Sequence, residues 1–226
     1  MLQGLPPILN HSAMYFIAQP ILHHDGELFG HELLLRFKAY DNPLELLKIV
    51  RHLGLRHQLD LQVCEMAKNL IPSKADQGLW LINLYAESLS HSNTQLALHD
   101  LADQLAPCKL MLHILELELV QDMPHLRKAM VALHDSGIQF ALDIEHLEHP
   151  YSQFLPFDLL RMTALPEHKT EWYRWIEAAR THGVPLLAFH VEEEDMVYAL
   201  TQRRVDYLQG YAVRDNYVME IPQIHL

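Results

Sequence analysis

The chain has 226 residues, half of them apolar, and a formal net charge of −12. That length suits one domain with a substantial core, taken as residues 1–226, and the negative charge excludes nonspecific binding to DNA or RNA, which needs a basic surface against phosphates. No apolar run is long enough to cross a bilayer and the N-terminus lacks a signal-peptide pattern, so a cytoplasmic protein with no membrane partner and no direct nucleic-acid partner is expected. Cys64 and Cys108 give neither a disulfide framework nor metal-ligand spacing, and the 17 histidines are scattered.

Two apolar runs, Tyr15 to Leu22 and Glu27 to Phe37, flank the turn signal Asp25-Gly26, which predicts an antiparallel hairpin. Pro43 opens a helical pattern with Leu44, Leu47 and Val50 on one face until Gly54. A second helix carries Leu59, Val63, Met66 and Leu70 to Pro72. Strand and helix then alternate. Strands are predicted at Leu79 to Leu84, Leu110 to Leu115, Ile138 to Leu142, Phe157 to Met162, Val184 to Phe189 and Val205 to Leu208. Helices lie between them, from about Thr94 to Leu105, from Pro124 to Gly137, from Trp172 to Gly183, and through Arg203 after an acidic first turn at Glu192 to Asp195. The helix after Asp143 is weak. Eight strands alternating in this way favour a closed β/α barrel made irregular by its opening hairpin. An open doubly wound sheet is the alternative, but no glycine-rich phosphate loop follows an early strand.

Within Leu28 to Phe37 an acid and an arginine interrupt an apolar run, and strand alternation puts Glu32 and Arg36 on one face. Glu32, Asn83, Glu116 and Asp143 are expected at strand ends, the face that carries active sites in β/α barrels. Three carboxylates and an amide suit Mg2+ or Mn2+, and Arg36 suits a phosphate. A single acid at a strand end also serves as a helix cap, which is the structural alternative for Glu116 and Asp143. His113, inside a strand, reads as a hydrogen-bonded core residue.

In order along the chain, Gln19-Pro20, GHELLLR at 30–36, LINL at 81–84, HILE at 113–116, ALD at 141–143 and QGY at 209–211 resemble the motifs of the EAL domains of cyclic di-GMP phosphodiesterases. The resemblance covers nearly the whole chain. It implies a modified (β/α)8 TIM barrel whose first strand is antiparallel, and a metal-assisted attack of water on one phosphodiester of cyclic di-GMP to give the linear dinucleotide pGpG. It also implies metal ligation by Glu32, Asn83, Glu116 and Asp143, and ligand binding by Gln19, Arg36 and Gln209.

The departures bear on activity. Leu33 replaces the motif's alanine. Ile144 and Glu145-His146 stand where the resemblance implies a second aspartate and Phe-Gly, and the stretch from Asp143 to Arg161 is short. Arg161 occupies the position resembling the catalytic lysine, and a guanidinium does not give up a proton. Phe189-His190 replaces Glu-Gly, removing another ligand. The remaining set is read as able to hold one cation, with the second metal site lost unless Glu145, His146, Glu148 or His190 rebuilds it.

A degenerate member that works by binding cyclic di-GMP or a protein partner, with little or no hydrolysis, is therefore expected. The alternative is an active metal-dependent phosphodiesterase. With no attached sensor or output sequence, action through a protein partner is expected. The sequence names neither that partner nor the oligomeric state.

Overall fold

The computed structural model describes residues 13–71 and 78–213. Eight strands close into a barrel in chain order: β1 (Met14–His23), β2 (Leu28–Phe37), β3 (Leu79–Tyr85), β4 (Lys109–Leu115), β5 (Gln139–Asp143), β6 (Leu159–Thr163), β7 (Leu186–Phe189) and β8 (Tyr207–Leu208). β1 is antiparallel to both of its neighbours, β2 and β8, and the remaining contacts are parallel. The hairpin turns at Gly26, whose φ of 91° suits a residue without Cβ, and Asp25 Oδ1 accepts the Glu27 N–H.

Among the described residues six α-helices cover the barrel: α1 (Pro43–His52), α2 (Arg56–Leu70), α3 (Ser92–Leu105), α4 (Met123–Asp135), α5 (Trp172–His182) and α6 (Glu194–Gln202). Their starts are local chemistry. Asn42 caps α1 through the Leu44 N–H and Asp122 caps α4 through the His125 N–H, each just before a proline. Gly183, left-handed at φ 65°, ends α5, whose buried residues are Trp172, Trp175, Ile176 and Ala179 as the pattern predicts. On α1 the expected face is shifted. Leu46 and Val50, one turn apart, form the buried stripe, while Leu44 is 59% exposed. After β5 no α-helix forms, and 3-10 turns at Ile144–Glu148 and Ser152–Phe154 make the crossover. Pro72 lies outside the described residues. No described helix is long and apolar enough to cross a membrane.

Strand alternation divides the core in two. Ile21, Leu79, Leu81, Met111, Ala141, Leu159 and Leu187 fill the barrel interior, whereas opposite-parity residues such as Leu33, Ile82, Leu112 and Leu142 pack beneath the helices. The interior is apolar toward the N-terminal ends of the strands. Continuing the inward rows toward the C-terminal ends gives Glu32, Asn83, His113, Asp143, Arg161 and Gln209. The barrel therefore sets a polar layer on an apolar plug.

Asp60 fastens α2 to this end of the barrel, accepting the Tyr85 N–H at 2.9 Å while 2% exposed. Burial pushes its carboxyl up to about 8 from 3.8, against opposing help from Ser88, the Tyr85 N–H and Arg56. Across that interval the folded chain holds a proton that the unfolded chain has released, so rising pH costs stability, at most about 1.4 kcal/mol per pH unit. Asp60→Asn removes this term. Relative to wild type, the variant gains stability progressively from pH 5 to pH 8 in urea denaturation; a constant offset across those pH values contradicts the assignment.

Candidate functional site

Glu32 is the centre of the polar layer. It lies in the middle of β2, not at its end, and is buried, with Asn83 Nδ2 donating to Oε1 at 2.9 Å and Gln209 Nε2 donating to Oε2 at 2.8 Å. Asn83 is on β3, and its amide orientation follows from the Glu32 acceptor, which leaves its Oδ1 facing His113 Nδ1 at 2.6 Å. His113, opposite Asn83 in the β3–β4 register, places its other nitrogen, Nε2, 3.0 Å from Asp143 Oδ1 at the end of β5. Both of its ring nitrogens thus meet acceptors.

Arg161 closes the ring from β6, directly across from Asp143 in the register. Its Nη1 is 3.6 Å from Glu32 Oε1 and its Nε 3.9 Å from Asp143 Oδ1. The guanidinium carbon lies 4.7 Å from the centre of the Phe189 ring, a cation–π contact that helps fix the group. Burial pushes the Glu32 carboxyl up, but Arg161, His113 and the bonds from Asn83 and Gln209 outweigh it and hold the group below the ordinary carboxylate range. Asp143 behaves alike. Burial raises it, and His113, Arg161 and His146 bring it well below its usual value.

Gln209 reaches Glu32 because the chain beyond β8 is tightly seated. Gln209 N donates to Ala188 O and Val191 N donates to Gln209 O. A Cβ on the next residue, Gly210, would lie 2.2 Å from Val191 O. Only glycine fits there, which gives the QGY motif its physical reason.

The other expected residues divide. Gln19 faces Glu32 across β1 and β2 in the strand register. Arg36 is half-buried four residues further along β2 and donates to Leu35 O, outside the Glu32 network. Glu116 does not join the expected four-donor site. Its backbone is left-handed (φ 54°, ψ 41°), which breaks the strand alternation, and its carboxylate pairs with Arg56 at 2.8 Å and Arg51 at 3.4 Å. Neither Glu116 nor Asp143 makes a side-chain capping bond, so the capping alternative fails for both. Ile144 is buried in the apolar shell. Glu145 is exposed, Glu148 lies 3.8 Å from Arg174, His146 lies 4.0 Å from Glu118, and His190 packs edge-on against Phe189.

These residues do not fit a divalent cation held in the expected way. Among the described residues no three His, Cys, Asp or Glu side chains form a metal-capable group. Asn83 Oδ1 is already engaged by His113, and a guanidinium stands within 4 Å of both remaining acids. Inner-sphere oxygens at about 2.0–2.6 Å would set a dication close against that guanidinium.

The family model described as EAL domain matches residues 5–215. The chain belongs to the EAL domain family. This EAL domain is 23% identical over 94% of its length to cyclic di-GMP phosphodiesterase PdeF of Escherichia coli K12, and it spans only 31% of that relative. Its barrel is similar to that of PaMucR phosphodiesterase in a c-di-GMP complex (TM-score 0.77, 21% identity, 92% of this chain and 98% of that one). It is also similar to the FimX EAL domain of Pseudomonas aeruginosa bound to c-di-GMP (TM-score 0.72, 17% identity, 90% of each chain) and to an EAL domain protein of Listeria monocytogenes EGD-e (TM-score 0.74, 19% identity, 91% and 89%).

His113 is the member of the EAL barrel's polar layer that sequence reasoning set aside. It is buried and hydrogen-bonded as expected of a core residue, yet it links Asn83 to Asp143. The signal was parity: Met111 and His113 share the inward face of β4, and Glu116 falls on the other. The two glutamates therefore differ in consequence. Removing Glu32 leaves Arg161 buried without its nearest counter-charge, so Glu32→Ala is expected to cost about 3 kcal/mol or more. Glu116→Ala releases a partly solvated pair and costs about 1 kcal/mol. Urea denaturation of both variants checks the ranking, and equal losses contradict it.

Proposed function

We propose that this EAL domain binds cyclic di-GMP at the C-terminal mouth of its barrel and does not hydrolyse it. The observation that carries this reading is that both acids of the polar layer are already neutralised and hydrogen-bonded by side chains. Glu32 accepts from Asn83 and Gln209, and Asp143 is met by His113. A general base works best with a pKa near the operating pH, and these two carboxyls are held on the acid side of their ordinary range. Arg161 cannot take a proton from water either. The family's reaction is metal-assisted, and Ile144 and Phe189 supply no oxygen ligand for a second ion.

Binding is supported on separate grounds. The MucR and FimX structures are both described with c-di-GMP bound, and this barrel superposes on each. Arg36 and Arg161 put positive charge at the helix-ward end of β2 and in the interior, giving an otherwise acidic chain a local place for a dianionic ligand. Gln19 and Gln209, the residues for which the resemblance implies ligand binding, lie beside Glu32.

Incubation with cyclic di-GMP and Mn2+ or Mg2+, followed by chromatography, is expected to return the intact dinucleotide, and calorimetry is expected to show saturable binding. Linear product that disappears in Glu32→Gln overturns the loss of hydrolysis. Absence of binding overturns the nucleotide assignment and shifts the reading to a protein-binding role.

A further inference from the structure

We infer that Arg161 acts as a built-in cation in the barrel mouth, displacing the divalent ion and receiving the ligand's phosphate, so that nucleotide binding here is metal-independent. The inference rests on the nucleotide reading above. It starts from an imbalance in the hydrogen bonds of a buried group.

Arg161 is 5% exposed, yet neither Nε nor Nη1 has a hydrogen-bond partner. The distances to Asp143 and Glu32, 3.9 Å and 3.6 Å, are near enough for attraction between charges and too long for hydrogen bonds. Buried donors left open are rare, and these two call for an acceptor that the closed barrel does not itself supply. Gln209 Oε1 is likewise buried and without a partner. Nε and Nη1 lie on different edges of the guanidinium, so each offers a single charge-assisted N–H to a phosphate oxygen. The Phe189 ring, 4.7 Å from the guanidinium carbon, holds that group in place.

The same placement works against a metal. Glu32 and Asp143 are the acids that a divalent ion would need, and Arg161 already approaches both. A dication bridging them would meet a like charge at close range with no intervening ligand. Phe189 thus does two things at once: it removes a carboxylate from the mouth and gives the arginine a surface to pack on.

The test uses the whole chain and two probes, Mn2+ alone and cyclic di-GMP. Mn2+ uptake is read from the electron paramagnetic resonance signal of free ion, and nucleotide affinity by calorimetry in EDTA and in Mn2+. Wild type is expected to take up no Mn2+ at millimolar concentration and to bind nucleotide equally, within about twofold, in both conditions. Arg161→Met is expected to weaken nucleotide binding by about tenfold or more and to gain Mn2+ uptake.

Stoichiometric Mn2+ binding by wild type, or nucleotide binding that requires Mn2+, overturns the inference, and neither result depends on the variant folding. If wild type takes up neither probe, the nucleotide reading fails by itself. Mn2+ uptake by folded Arg161→Met then still supports displacement of the metal, and its absence overturns it.

Discussion

A carboxylate buried at the centre of a closed barrel is tolerated only if the surrounding strands neutralise it, and Glu32 sets that condition for this protein. Its partners come from β3, β6 and the residue just after β8, so they meet only once the barrel has closed. The bond from Gln209 joins residues 177 positions apart. Gly210 makes that bond attainable by letting the backbone pass against Val191. Closure, charge balance and the shape of the mouth are one constraint.

The charge balance also decides the chemistry. Two acids, Glu32 and Asp143, stand against the Arg161 guanidinium and the His113 ring. Both carboxyls are held on the acid side of their ordinary range, and Asn83 Oδ1 is engaged by His113. Two donors of Arg161, Nε and Nη1, stay without a hydrogen-bond partner. On the proposed reading the EAL barrel is retained while its mouth is suited to holding a phosphate and not to hydrolysing one.

The fold was readable because its signals are local. Asp25-Gly26, Pro43, Gly137 and Gly183 mark turns and helix ends through backbone requirements that hold in any context, and the weak pattern after Asp143 matches the 3-10 turns found there. Alternation along the strands was enough to place Glu32, Asn83 and Asp143 inside. Glu116 was expected inside as the end of the HILE motif although its parity is opposite to that of His113, and its left-handed backbone accompanies pairing with Arg56 and Arg51 instead. His113 shares the parity of Met111, and Arg161 stood out by its motif position, but what each one contacts was not legible. Each residue type was recognised, but the role depends on distances across strands that only the closed barrel fixes.

The most direct test of the central claim is a crystal structure of the protein grown with cyclic di-GMP and Mn2+, with data collected at the manganese absorption edge. The account predicts a phosphate against the Arg161 guanidinium and no anomalous peak between Glu32 and Asp143. A manganese peak ligated by both carboxylates, with Arg161 turned away, would contradict it.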